Sequence, residues 1–184
     1  MKLSVKVLAP AFLVVLMILG TVSFLTPPTP VGGKDWPLPP EDYPIGNLTA
    51  NLNLTNVDLL GGQPIPSLGP GLDFPWGSQA FYYIGAYKND TLMAFVIAQL
   101  PSPREAARFA ALVMEHLKEE VPEDKIRYLA GADGGYMDIN EFNRTVQVWY
   151  GRGWLFLIQV NADRATAEEA IREFKEAIVR AYSG

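Results

Sequence analysis

Only a few residue types can carry chemistry, and in this chain they are scarce or scattered. His116 is the sole histidine and cysteine is absent. A zinc site would therefore need carboxylates for its other ligands, and disulfides, iron–sulfur clusters and thiolate nucleophiles are excluded. A Ser-His-Asp arrangement would have to recruit His116 as well, and no G-x-S-x-G turn is present. His116 is expected to be structural or solvated. Asp133, Asp138, Asn140 and Glu141 gather in a glycine-rich segment, a density of oxygen ligands that makes them the calcium candidates. Their order does not match the twelve-residue calcium loop, because no glycine holds its sixth place. Asp133, Asp138 and Glu141 are also the candidates for a carboxylate pair acting as acid and base, provided two of them converge in a cleft. Gly131, Gly134 and Gly135 form no G-x-x-x-x-G-K-[ST] or G-x-G-x-x-G cradle, so no nucleotide site and no cofactor are expected.

The aromatic residues are better supplied. Arg144–Tyr150 and Trp154–Asn161 read as a hairpin around Gly151-Arg152-Gly153. A three-residue loop would set Tyr150 opposite Trp154 and Val148 opposite Phe156. It would also place Trp149 with Gln147 and Gln159 on the other face. A two-residue loop pairs Val146 with Gln159 and mixes the sets, so the three-residue loop is the expected one. Trp149, Tyr150, Arg152 and Trp154 then become the candidate surface for a ligand or partner, since rings beside Gln and Arg suit such contacts. The competing expectation is that these rings lie beneath a wrap formed by residues 57–77.

These residues must be positioned by the compact part of the chain, residues 78–184. Ala80–Tyr87 and Thr91–Leu100 are rich in aromatic and β-branched residues and read as a hairpin. The second run is apolar on both faces, as a covered central strand must be. Ser102, Pro103 and Glu105 form a capping-box start, and Ala106, Phe109, Ala110, Val113, Leu117 and Val121 follow at helical spacing. Lys125–Ala130 and Tyr136–Ile139 are short strand candidates. Thr166, with Glu169 three residues on, is expected to cap a second helix carrying Ala170, Phe174, Ala177, Ile178 and Ala181. The order β-β-α-β-(β)-β-β-α predicts an α+β domain: an antiparallel sheet of about five to six strands packed with two amphipathic helices.

Three segments precede it. Val7–Leu25 carries no charge and follows Lys2 and Lys6. As a helix it would reach roughly 28 Å, close to the hydrocarbon thickness of a bilayer. Residues 1–25 are expected to be a cytoplasmic tip and a transmembrane helix acting as a signal-anchor, with a cleaved signal peptide as the alternative. Residues 26–46 hold seven prolines and predict a semi-rigid stalk. Residues 47–77 predict an irregular wrap, with a candidate edge strand near 48–55 and with Leu72, Phe74 and Trp76 pinning it to the domain.

From Thr26 onward 20 acidic residues face 13 basic ones, a formal charge of −7 once Lys2 and Lys6 are set aside. That balance disfavours nucleic acid. Asn47, Asn53, Asn89 and Asn143 each begin an N-x-[ST] triplet and are the glycosylation candidates. The expectation is a single-pass cell-membrane protein with its N-terminus in the cytoplasm and its domain outside. It would touch lipid through residues 7–25 and bind an envelope protein or a small ligand without catalysis. The alternatives are a surface hydrolase working through a carboxylate pair and a passive accessory subunit of a membrane complex.

Overall fold

A computed structural model describes residues 32–184, apart from Lys34 and Asn89. Helix α1 (Ile45–Asn51) leads into strand β1 (Val57–Pro64), followed by β2 (Gln79–Tyr87) and β3 (Thr91–Gln99). Helix α2 (Pro103–Glu120) starts as its sequence demands. Ser102 is extended, its hydroxyl accepts from the Glu105 amide at 3.2 Å, and Pro103 fills the first turn. Strands β4 (Ile126–Leu129), β5 (Gly134–Glu141), β6 (Arg144–Gly151) and β7 (Trp154–Val160) precede helix α3 (Arg164–Ser183). Its N-cap is Asp163 and not Thr166: the carboxylate accepts from the amides of Ala165 and Thr166. The Thr166 hydroxyl donates to that same carboxylate and holds its pKa below the usual range.

The seven strands form one antiparallel sheet in the order β1-β2-β3-β7-β6-β5-β4. Both faces are covered over most of the sheet, giving two cores. On one face α2 buries Phe109, Ala110, Val113 and Met114 against Val96, Met137, Val148 and Leu155. On the other, α3 buries Ala170, Phe174, Ala177, Ile178 and Ala181 against Phe95, Trp149, Phe156 and Ile158, and α1 packs alongside it. Each large side chain sealed in this way contributes roughly 1.5–3 kcal/mol. The strand beyond the expected five to six is β1, which lies in the expected irregular wrap of residues 47–77 and carries Gly61, Gly62 and Pro64. It pairs with β2 across a register shift between Leu59 and Gly61, a bulge that an edge strand tolerates. The residues after it, Ile65, Leu68, Leu72 and Phe74, pack toward α2, with Phe74 4.7 Å from Phe109 between ring centroids. Trp76 is fully exposed and pins nothing.

Two close approaches need glycine. A Cβ on Gly135 would press on the Leu129 carbonyl oxygen and come within 2.7 Å of the Tyr150 ring. The Tyr150 hydroxyl spans the same place, donating to the Gly131 carbonyl at 2.9 Å and accepting from its amide at 3.1 Å. Gly135→Ala is expected to lower stability by about 1–3 kcal/mol through overpacking. A urea-unfolding midpoint indistinguishable from wild type would refute this.

Several expectations are corrected here. The β6–β7 connection is the two-residue loop Arg152-Gly153, with φ of 52° and 81° and Gly151 opposite Trp154. Val146 pairs with Gln159 after all, because cover on both faces removes the penalty on mixing, and two positive φ values match the strand twist. The first half of the candidate edge strand at 48–55 is helix, ending at Asn51, the rest is not strand, and Leu48 is buried in the core of the α3 face. The predicted stalk does not stand clear of the domain, since Trp36, Leu38 and Ile45 belong to the core of the α3 face. Residues 26–31 and the expected span Val7–Leu25 lie outside the described residues. Among the described residues no helix is long and apolar enough to cross a membrane. On that finding the single-pass cell-membrane placement is corrected and plays no part in the function proposed below.

Candidate functional site

The acidic cluster separates when folded. Asp138 pairs in register with Gln147 and projects toward α3, whereas Glu141, three residues on, falls on the α2 face. Asp138 is buried and takes hydrogen bonds from the Arg127 guanidinium and, at 3.0 Å, from Gln147 Nε2. Glu141 pairs with Arg144 at 3.1 Å, Thr145 donates to Asn140, and Asp133 is exposed on its loop. No three of these converge. Among the described residues no group of His, Cys, Asp and Glu could hold a metal ion. The calcium site and the carboxylate pair are both corrected: side-chain alternation along β5 parts Glu141 from Asp138, Asp133 lies on the loop before the strand, and the carboxylates that remain are engaged by Arg127 and Arg144. His116 is half exposed on α2, 3.7 Å from Glu120.

The aromatic surface is also absent. Trp149 and Trp154 are fully buried and Tyr150 nearly so; only Arg152 is exposed. What covers Trp149 and Trp154 is α3 together with residues 36–45, not residues 57–77. Of the triplet asparagines, Asn47, Asn53 and Asn143 are exposed, Asn143 at a turn with φ of 57°. Asn89 lies outside the described residues.

The same folding builds a site that the sequence did not announce. Beside α3 an open cleft of about 760 Å³ is lined by Asp35, Gln147, Ile171, Arg172, Lys175 and Val179, with Glu168, Glu176 and Arg180 at its margin. Helical spacing explains the wall, because 168, 171, 172, 175 and 179 share one flank of α3. The cleft exists because α3 lies over the middle of the sheet and leaves the β5–β6 side to Trp36, which stacks on Tyr136 at 4.3 Å and 10°. Glu168 is engaged by Arg164 at 2.7 Å and Glu176 by Arg180 at 3.9 Å. The cleft's other positive charge is carried by Arg172 and Lys175.

Lys175 is the distinctive group. Its ammonium lies 3.7 Å from the Trp36 ring centroid and 5.2 Å from that of Trp149. Burial pulls its pKa down to about 8, against the opposing pull of the Asp138 and Asp35 charges. Gln147 presents a second unmet demand. Its Nε2 is committed to Asp138, while its Oε1 is buried with no hydrogen-bond partner among the described residues, a state that costs about 1–3 kcal/mol unless a donor arrives. A largely buried cation and an unpaired acceptor therefore share one apolar-walled cleft. No family model matches this chain. No curated protein matches it either. Among solved structures, a GTP binding regulator from Thermotoga maritima aligns with a TM-score of 0.54 at 15% identity, covering 78% of this chain and 90% of that one. At such identity the likeness is one of fold alone. The cleft must be argued from its own residues.

Sequence reading passed over Lys175 because one lysine among the solvated charges of an amphipathic helix carries no mark. The usable signal was its position on the edge of the apolar stripe, one residue from Phe174.

Proposed function

We propose that this domain is a non-catalytic binding module whose α3 cleft takes a small organic anion with an apolar part. Lys175 would meet the anionic group, with Arg172 beside it. Ile171 and Val179 would cover the apolar part, and Gln147 Oε1 would accept from a ligand N–H or O–H. The observation that carries the reading is Lys175 itself. A lysine held largely out of water in a cleft opposes folding, and perturbed groups of this kind gather at functional sites. Among the described residues no group of His, Cys, Asp and Glu could hold a metal ion, and two of the cleft's three carboxylates, Glu168 and Glu176, are engaged by arginines, which favours recognition over turnover.

The test is calorimetric titration of the full chain with phenyl phosphate, with inorganic phosphate as the probe lacking an apolar part. GTP forms a third arm, because the protein that shares the fold is described as GTP binding. Phenyl phosphate is expected to bind at least tenfold more tightly than inorganic phosphate, and Lys175→Met to weaken it at least tenfold. No measurable heat with any probe, or equal affinity in the variant, would overturn the reading.

A further inference from the structure

Residues 36–40 read Trp-Pro-Leu-Pro-Pro. Prolines fix φ and hold the residue before them extended, so this stretch is prepared for the polyproline II conformation and has few amides to offer. The domain meets it with donors from side chains. Trp149 Nε1 donates to the Pro37 carbonyl at 2.8 Å and Trp154 Nε1 to the Pro40 carbonyl at 3.0 Å. Arg152 Nη1 donates to the Leu38 carbonyl at 3.4 Å, and Gln99 Nε2 continues the row to the carbonyls of Glu41 and Tyr43.

The spacing is specific. Carbonyls three residues apart lie on one face of a polyproline II helix, roughly 9 Å apart. Trp149 and Trp154 share one sheet face on neighbouring strands, offset diagonally by roughly 8 Å given strand rise and spacing. The two indole N–H groups thus match one face of the segment. Leu38 fills the gap between them, buried against Gly151, where a Cβ would come within 2.6 Å of it.

We infer that this face of β6–β7 is a recognition groove for proline-rich peptide, filled in this chain by its own residues 35–45. Indole donors reading the carbonyls of a Pro-x-x-P segment in an aromatic-lined groove are a recurring mode of peptide binding. The occupant here is tethered, so a free peptide of the same chemistry competes against an effective concentration of about millimolar. Because the Trp36 ring lies against the Lys175 ammonium and Asp35 lines the α3 cleft, release of the segment would strip both from that cleft. The groove's own donors, Trp149, Trp154, Arg152 and Gln99, hold the segment whatever ligand that cleft takes.

The experiment uses the full chain and a fluorescein-labelled peptide of residues 35–45, read by fluorescence polarisation. Leu38→Asp in the protein, which loosens the tethered copy, is expected to tighten peptide binding at least tenfold over wild type. Adding Trp154→Phe, which removes one indole donor, is expected to reverse most of that gain. A scrambled peptide of the same composition should not bind. A folded Leu38→Asp protein that ignores the peptide, or binds the scrambled one equally, would overturn the inference. Should Leu38→Asp not fold alone, recovery of its near-ultraviolet circular dichroism by the peptide at about 1 mM supports the groove, and no recovery sinks it.

Discussion

Lys175→Met is expected to leave the domain more stable at neutral pH, by on the order of 1–2 kcal/mol, while weakening ligand capture. The native pKa of about 8 lies below the ordinary 10.5 of a lysine. At 1.36 kcal/mol per pH unit, the gap corresponds to roughly 3 kcal/mol against the ammonium form in the folded state. Attraction to the faces of Trp36 and Trp149 returns about 1–2 kcal/mol of that. The sign follows from proton counting. Between pH 8 and 10.5 the unfolded chain holds a proton on Lys175 that the native chain has lost, so native stability rises with pH across that window. Below about pH 8 the penalty is present in full. Urea unfolding of wild type and Lys175→Met at pH 7 and pH 10 measures the difference, which should shrink at the higher pH. A variant less stable than wild type at pH 7 would show that Lys175 is structural, and with it the cleft would lose its claim to be a site kept at the expense of stability.

Trp149→Ala should cost about 3–5 kcal/mol, as truncation of a fully buried tryptophan does, and is the largest loss expected from a single substitution here. Its ring stacks on Phe156 at 5.1 Å and meets Phe174 edge-on at 6.1 Å. Its indole N–H holds Pro37. Trp149→Phe separates the two contributions. It keeps most of the apolar contact but leaves the buried Pro37 carbonyl without its donor, for an expected loss of about 1–3 kcal/mol. Urea unfolding of both variants, followed by far-ultraviolet circular dichroism, checks the division. If Trp149→Phe matches wild type in stability, the indole N–H does not hold the segment.

Elements with a local physical cause were legible in the residues. Ser102-Pro103-x-Glu105 starts α2 wherever the chain folds, and the apolar spacing of Ala170, Phe174, Ala177 and Ile178 sets which side of α3 turns inward. Strand β3, apolar on both sides, lies third in the sheet with both faces used. The candidate site was not legible, because each of its parts was ambiguous alone. Asp138 read as a ligand for calcium or an acid, since nothing nearby in sequence reveals that Arg127 and Gln147 lie on the adjacent strands. Trp149 and Trp154 read as an exposed patch because part of their cover comes from more than a hundred residues earlier and the rest from α3. The prolines read as a spacer, for they do forbid helix and central strand.

Amino-acid sequence alone determined the α+β class, the capped start of α2, the apolar stripe of α3, the two hairpins and the absence of thiol chemistry, since each follows from local stereochemistry or from composition. Only tertiary structure decided which way the β6–β7 loop closes, that residues 36–45 lie on the sheet, and that Lys175 and Gln147 share one cleft. The reason is physical: a proline-rich segment satisfies few hydrogen bonds of its own, so its place is set by whatever distant donors can reach its carbonyls.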